Sequence, residues 1–205
     1  MNVQRLKEAE AAFLERFPLG FADPGMEPIR KRHNVDKLAD FTKQNLDALS
    51  FSQPQRLAEL LTTIVGRSSM VSRFEKAPFR DFIGALNSKE RARLANAFEK
   101  RLVGRRKREG FDEIVDLFSR YKLARWSLVS CVPYYFAPKR EVFVKPTTAK
   151  KIIALLEVEG LEYRSRPSWV FYDGFRQLIL EIKELLEPSL TPNNAAITGL
   201  LMSAL

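Results

Sequence analysis

The chain of 205 residues is 45% hydrophobic and 29% charged, an ordinary globular composition that excludes an intrinsically disordered protein. Its 34 Lys and Arg residues outnumber its 25 Asp and Glu residues, which gives a formal net charge of +9. Such an excess is typical of proteins with an anionic partner, nucleic acid above all. No apolar run approaches the roughly 20 residues that a membrane-spanning helix needs, so we expect no membrane partner.

Apolar residues recur at helical spacing through the first 120 residues. Asn34, Ser52 and the pair Asn87–Ser88 are the expected N-caps, and Pro78 is expected to open a helix of its own. In chain order, helices are predicted over residues 3–17, a short and then a longer helix within 26–50, and further helices over 54–66, 78–87, 88–104 and 111–118.

The C-terminal part has a less regular pattern. Residues 126–136 are apolar throughout and contain Pro133, which favours a buried helical turn followed by extended chain. Residues 141–144 and 161–164 have the composition of short strands and could pair with each other. Helices are predicted from Thr147 or Thr148 to Gly160, from Ser168 to about Leu186, and from Thr191–Pro192 to the C-terminus.

These elements predict a mainly α fold, a multi-helix globular bundle that leaves room for one short two-stranded β ribbon near 141–144 and 161–164. We expect residues 1–205 to form a single globular domain. The charged stretch Lys100–Gly110 contains two glycines and, as a linker, would separate lobes 1–103 and 111–205. A plain surface turn is the alternative.

The compartment is predicted from the cysteine count and the N-terminus. Cys131 is the only cysteine, which excludes an intrachain disulfide and a cysteine-cluster metal site. It lies in the apolar run 128–132, where a small buried hydrophobic side chain is the simplest interpretation. The first eight residues mix both charge signs and lack the apolar stretch of a signal peptide. We therefore expect a cytoplasmic protein.

The first candidate site is the segment 145–151, where a predicted helix begins. Free backbone N–H groups at a helix start point outward and carry partial positive charge. Hydroxyl and ammonium groups beside them favour a phosphate or a carboxylate. Simple capping by a threonine, with the lysines in solvent, is the alternative. The residues expected to contact an anion are Lys145, Thr147, Thr148, Lys150 and Lys151.

The second candidate site is the run 163–169, which places Arg164 and Arg166 beside Tyr163 and Trp169. Arginine makes forked phosphate contacts, and aromatic rings stack on bases. Tyr163 or Tyr172 would supply the stacking ring. The alternative is a structural loop with Trp169 in the core.

The third candidate site has the strongest local positive charge in the sequence. It consists of Arg105, Arg106, Lys107 and Arg108, preceded by Lys100 and Arg101. Such a patch can bind a nucleic-acid backbone without reading its sequence, whereas a solvated loop is the alternative. The run 30–32 is a weaker version of the same pattern.

Enzyme templates find little support in the sequence. Ser–His–Asp and Cys–His schemes would both need His33, the only histidine. A metal site at His33 would lack a second histidine at suitable spacing. Carboxylate pairs such as Asp112–Glu113 fall in ordinary helical alternation, which is typical of solvent-facing surfaces. We predict no catalytic residue, no metal site and no cofactor.

A block over residues 125–175 resembles an uncharacterised family of bacterial helical proteins that has no known activity. The matching residues are Trp126, Leu128, Pro133, Phe136, Pro138, Phe143, Lys145, Pro146, Thr147, Lys150, Tyr163, Arg164, Pro167, Trp169 and Tyr172. The block is more remotely similar to helical segments of restriction and defence proteins, which implies an association with nucleic acid. Within it, Lys145, Thr147, Lys150, Arg164 and Tyr172 are the polar members, and Pro133, Pro146, Pro167 and Trp169 have architectural roles.

The leading hypothesis is a nucleic-acid-binding or nucleic-acid-associated helical protein that contacts phosphates through a basic face. This requires charges that are scattered along the chain to converge in space. The alternatives are a non-catalytic helical scaffold that binds an acidic protein, and a binder or enzyme for a small anionic ligand.

Overall fold

The fold is known from a computed structural model, which describes residues 1–204. Its α-helices are α1 (Val3–Arg16), α2 (Glu27–His33), α3 (Val35–Asn45), α4 (Ala48–Ser52), α5 (Pro54–Arg67), α6 (Arg73–Ala85), α7 (Ser88–Leu102), α8 (Lys107–Arg120), α9 (Trp126–Phe136), α10 (Pro146–Leu155), α11 (Trp169–Leu185) and α12 (Asn194–Ser203). Short 3₁₀ turns occupy Gly20–Ala22, Pro24–Met26 and Pro188–Leu190. Helices make up 74% of the chain, which confirms the mainly α fold. No helix of the described part is both long and apolar enough to cross a membrane.

Side-chain caps fix several helix starts where the sequence predicts them. Asn87 and Glu90 form a reciprocal capping box at the start of α7. Ser168 accepts a hydrogen bond from the backbone N–H of Phe171 at the start of α11, as expected. Each cap satisfies backbone donors that have no partner within the helix.

The core is one contiguous cluster of buried apolar side chains drawn from helices along the whole chain, from α1 to α12. Helix α9 lies at its centre, and every residue of α9 except Phe136 is buried. It packs against α3 and α5, with smaller contacts to α7 and α8. Cys131 on α9 has no exposed surface, which confirms the interpretation of a small buried side chain.

The expectation of extended chain after Pro133 is wrong, because α9 continues through this proline to Phe136. A proline inside a helix removes one backbone hydrogen bond and crowds the preceding turn. Packing on all sides of α9 stabilises the helix despite that loss, since tertiary contacts supply most of a helix's stability in a protein.

The predicted β ribbon is also absent: no strand occurs within residues 1–204. Residues 141–144 form neither helix nor strand, and side chains of neighbouring helices take hydrogen bonds that a partner strand would make. The N–H of Val144 donates to the Ser130 hydroxyl at 2.9 Å, and the carbonyl of Glu141 accepts from the Asn194 amide at 3.0 Å. A composition that suits a strand does not require a strand once these backbone groups are satisfied.

Other helix starts differ from the sequence predictions because different residues make the caps. Pro78 lies inside α6, which begins five residues earlier with a capping box formed by Ser72 and Glu75. Helix α12 is capped by Asn193 and not by Thr191. Helices α3, α5 and α10 begin without a side-chain cap, so the expected roles of Asn34, Ser52, Thr147 and Thr148 as caps are not found.

The connection between α7 and α8 is a tight turn. A Cβ atom on Gly110 would lie 2.6 Å from both the Ala97 carbonyl oxygen and the Arg101 backbone nitrogen. A Cβ atom on Gly104 would lie 2.9 Å from the Lys100 Cα. The two glycines therefore allow α7 and α8 to pack closely against each other.

Candidate anion-binding surface

Helix α10 begins at the first of the predicted sites. Lys145 is the residue before the helix, Pro146 is its first residue, and the side chains of Lys145 and Thr147 are exposed. The backbone N–H groups of Thr147 and Thr148 have no hydrogen-bond partner among residues 1–204. These donors carry the partial positive charge of a helix N-terminus.

The end of α2 is related to this helix start through the electrostatics of His33. His33, the last residue of α2, is within range of the charge of Lys145, and Arg32 precedes it in the chain. The Nδ1 atom of His33 lies 2.9 Å from the Ser69 hydroxyl oxygen. Partial burial lowers the pKa of His33 below its ordinary value of 6.5, and the positive charges of Arg32 and Lys145 lower it further.

We define the α2–α10 surface as Arg32, His33, Lys145, Thr147 and Thr148. Within residues 1–204, no carboxylate lies within 4 Å of the charged atoms of its basic side chains. Arg32 and Lys145 both lower the pKa of His33, the effect of a positive potential at the imidazole, and such a potential favours an anion. Sequence reasoning did not connect α2 with α10, because their proximity follows from tertiary packing.

The remaining lysines of the first site are also exposed, and neither forms an ion pair within the described residues. The ammonium of Lys150 lies 5.5 Å from the centre of the Tyr163 ring, a cation–π arrangement, and Lys151 is exposed on the same helix. The ring of Tyr163 is thus partly occupied by a side chain of the protein itself.

The third predicted site is largely neutralised by acids of its own helix. Arg106 pairs with Glu109 at 3.2 Å, and Arg108 lies 3.7 Å from Asp112. Lys100 is mostly buried and hydrogen-bonds to Glu109 and Glu113, which raises the pKa of its ammonium. Arg105 and Lys107 are exposed and make no ion pair within residues 1–204. The local field is therefore weaker than the basic run in the sequence suggests.

The structure does bring the second and third predicted sites together, but in a cavity of mixed charge. Arg108 and Arg166 both line a surface cavity of about 290 Å³ that also contains Asp112, Asp116 and Trp169. A neighbouring cavity of about 540 Å³ along α8 is lined by four carboxylates and two arginines. Carboxylates at this density disfavour a phosphate ligand. Arg164 is exposed and pairs with Glu162 at 3.0 Å.

Tyr172 is not a contact residue for an external ligand, contrary to the sequence prediction. Its side chain is fully buried, its hydroxyl donates a hydrogen bond to Glu141 at 2.9 Å, and the Val142 carbonyl oxygen lies 3.3 Å from the same hydroxyl oxygen. Burial, followed by the negative charge of Glu141, raises the pKa of Tyr172 far above its ordinary value. The hydroxyl therefore stays protonated and acts as a donor inside the fold.

The partner of Tyr172 is a buried ion pair that the sequence analysis missed. Arg101 is 1% exposed and donates two hydrogen bonds to Glu141, at 3.2 and 2.8 Å. Its guanidinium carbon lies 5.4 Å from the ring centre of Trp169 and 5.0 Å from that of Tyr172. One signal was available: Arg101 is seven residues after the buried Leu94 and falls on the apolar stripe of α7.

The next two observations concern a possible metal site and the similarity of the chain to known proteins. Among residues 1–204, no three His, Cys, Asp or Glu side chains are arranged to hold a metal ion. Comparison with protein-family models, with curated proteins and with solved structures finds no significant match to this chain.

Proposed function

We propose that this protein binds nucleic acid through its phosphates at the α2–α10 surface. The observation that carries the proposal is the start of α10, where Lys145 is exposed, makes no ion pair within residues 1–204, and precedes the unpartnered N–H groups of Thr147 and Thr148. The overall charge of +9 would add long-range attraction to the same ligand.

The chemistry of the surface suits a sugar–phosphate backbone. Arg32 and Lys145 offer charged donors, and the N–H groups of Thr147 and Thr148 offer neutral donors at a helix N-terminus. Within residues 1–204, neither Arg32 nor Lys145 forms a cation–π contact with an aromatic ring. We therefore infer backbone contacts that are largely independent of base sequence.

The salt dependence of binding tests this proposal. A protein that neutralises about three phosphates on a DNA duplex should lose affinity about fortyfold between 50 and 200 mM salt, because bound cations are released. Fluorescence anisotropy of a labelled 20-base-pair duplex, measured across that range, gives the salt slope, which is the slope of the logarithm of the binding constant against the logarithm of the salt concentration. No binding at 50 mM salt, or binding that salt does not weaken, would contradict the proposal.

A matched pair of variants locates the contact. Lys145→Gln should reduce the salt slope by about 1, since one phosphate contact is lost. Lys89→Gln removes the same charge from an exposed lysine in the first turn of α7 and should leave the slope unchanged. Equal effects of the two variants would show that only the net charge matters. Competition with an excess of polyglutamate distinguishes nucleic acid from an acidic protein as the partner. Polyglutamate should displace an acidic protein far more readily than it displaces the duplex.

A further inference from the structure

Phe74, the second residue of α6, is the most exposed aromatic side chain of residues 1–204. Its exposed fraction is 73%, whereas every other phenylalanine, tyrosine and tryptophan of the chain is buried or only partly exposed. A ring in water forgoes the free energy that its burial would contribute. The capping box of Ser72 and Glu75 already fixes the start of α6, so the helix does not need this ring in order to begin.

The charged side chains at this helix start include two exposed arginines. The guanidinium carbon of Arg73 lies 4.8 Å from the centre of the Phe74 ring, a cation–π arrangement. Arg73 is exposed and makes no ion pair within residues 1–204. Arg125 precedes α9 and reaches the same end of α6, where its guanidinium lies 3.9 Å from the carboxylate of Glu75.

The carboxylate of Glu75 is turned into the fold and leaves this positive charge largely uncompensated. One of its oxygens accepts a hydrogen bond from the Ser127 hydroxyl at 2.6 Å, and the other accepts from the backbone N–H of Ser72 at 3.2 Å. Asp81, about two turns further along α6, pairs with Arg80 at 3.1 Å. The exposed helix start therefore combines an aromatic ring with positive charge.

This combination suits an unpaired nucleic-acid base together with its phosphate. Every base has a flat face that can stack on an aromatic ring, and an arginine beside the ring can contact the backbone. Bases inside a duplex are already stacked on their neighbours. A protein partner would need a far wider apolar surface, since a stable interface buries roughly 800 Å² on each side. The exposed apolar residues next along this face of α6, Ala77 and Pro78, are small.

We propose that Phe74 and Arg73 form a binding site for single-stranded nucleic acid, in which Phe74 stacks on an unpaired base and Arg73 contacts a neighbouring phosphate. Arg125 adds positive charge at the same end of α6. The site uses no residue of the α2–α10 surface, so it goes beyond the function proposed above. Stacking of this kind tolerates any base, and binding should be largely independent of sequence.

Two labelled oligonucleotides of equal length separate base stacking from phosphate contacts. One is an oligothymidylate, and the other has the same backbone with abasic sites in place of its bases. Stacking of one base should make the wild-type protein bind the oligothymidylate about tenfold more tightly, as measured by fluorescence anisotropy at 50 mM salt. Phe74→Leu should abolish that difference, and Phe74→Tyr, which keeps an aromatic ring, should retain it.

Val170→Ala is a matched control. Val170 is 74% exposed and is the second residue of α11, as Phe74 is of α6, so this variant should bind both oligonucleotides as the wild-type protein does. Phe74→Leu changes only an exposed side chain, and its unfolding in urea should match that of the wild-type protein. Arg73→Gln should reduce the salt slope of oligothymidylate binding by about 0.7, the effect of one phosphate on a single strand.

Three results would overturn the inference: no binding of oligothymidylate at 50 mM salt, equal binding of the two oligonucleotides, or a preference for oligothymidylate that survives Phe74→Leu. Duplex binding is a separate measurement, which Phe74→Leu should leave unchanged. If the preference depends on Phe74 while no duplex binds, the Phe74 site stands and the function proposed for the α2–α10 surface fails. If the duplex binds with the expected salt slope while Phe74→Leu has no effect on oligothymidylate, the reverse holds.

Discussion

His33 at the end of α2 and Lys145 before α10 lie close enough for the charge of the lysine to lower the pKa of the imidazole. The proximity has an identifiable cause in the packing. Helix α3 follows α2 directly and packs along α9, while α9 holds the segment before Lys145 through the Ser130 hydroxyl. Both sides of the α2–α10 surface are thus attached to the same central helix.

The lowered pKa of His33 predicts a change in stability with pH. Because the pKa is lower in the folded protein than the unfolded value of about 6.5, the unfolded chain binds the proton first as the pH falls. The contribution of neutral His33 is therefore complete above pH 6.5 and is lost as the pH falls through the lowered pKa. Urea denaturation between pH 7.5 and 5 should show this loss, and His33→Gln should reduce the slope. If the stability of the wild-type protein and that of His33→Gln change with pH in parallel, His33 is not the cause of the loss.

The ion pairs of α8 predict that its arginines contribute less to polyanion binding than Lys145 does. Arg108 is close to Asp112, whereas Lys145 has no acidic partner within residues 1–204. Arg108→Gln should leave the salt slope of duplex binding unchanged, while Lys145→Gln should lower it by about 1. A larger effect at Arg108 would place the contact on α8 instead.

The close contact of α7 with α8 predicts opposite effects of alanine at two helical glycines. Gly110→Ala forces a methyl group to within 2.6 Å of two backbone atoms and should destabilise the protein by about 2 kcal/mol. A methyl group added at Gly66 on α5 would meet no neighbouring atom within 4 Å, so Gly66→Ala should stabilise the protein by ~0.5 kcal/mol. Denaturant unfolding of the two variants measures both. Similar stabilities would show that the turn can relax.

Burial of Cys131 predicts an unreactive thiol. Burial raises its pKa to about 12, and the side chain has no exposed surface. Since the thiolate is the reactive form, an aromatic disulfide reagent should modify the native protein only as fast as the core opens, and should modify the unfolded protein within seconds. Rapid and complete reaction of the native protein at pH 8 would mean that α9 is not packed as described.

Local signals in the sequence were sufficient for much of the fold. The capping box of Asn87 and the cap of Ser168 are local patterns, and both are found where they were predicted. The spacing of apolar residues predicted which face of each helix is buried, because the helical period involves only residues that are close in the chain. Pro133 was misinterpreted because the contacts that stabilise α9 come from distant residues. Pro78 was misinterpreted because the local capping box of Ser72 and Glu75, which begins α6, was not recognised.

The candidate site was less accessible to sequence reasoning. Lys145 and Thr147 were identified because a helix start is visible in the sequence, but nothing local shows that His33 lies beside them. Tyr172 was assigned to the surface because a tyrosine suits both a core and a binding site. Its burial depends on Arg101 and Glu141, whose pairing across the fold has no local signature.

The most direct test of the proposed site is the pKa of His33 with and without a saturating DNA duplex at 50 mM salt, measured by NMR. A phosphate bound beside Lys145 would introduce negative charge next to the imidazole and favour its protonated form. The pKa of His33 should therefore rise on binding, and the rise should disappear in Lys145→Gln. A duplex that binds while the pKa of His33 stays unchanged would place the phosphate contacts elsewhere on the molecule.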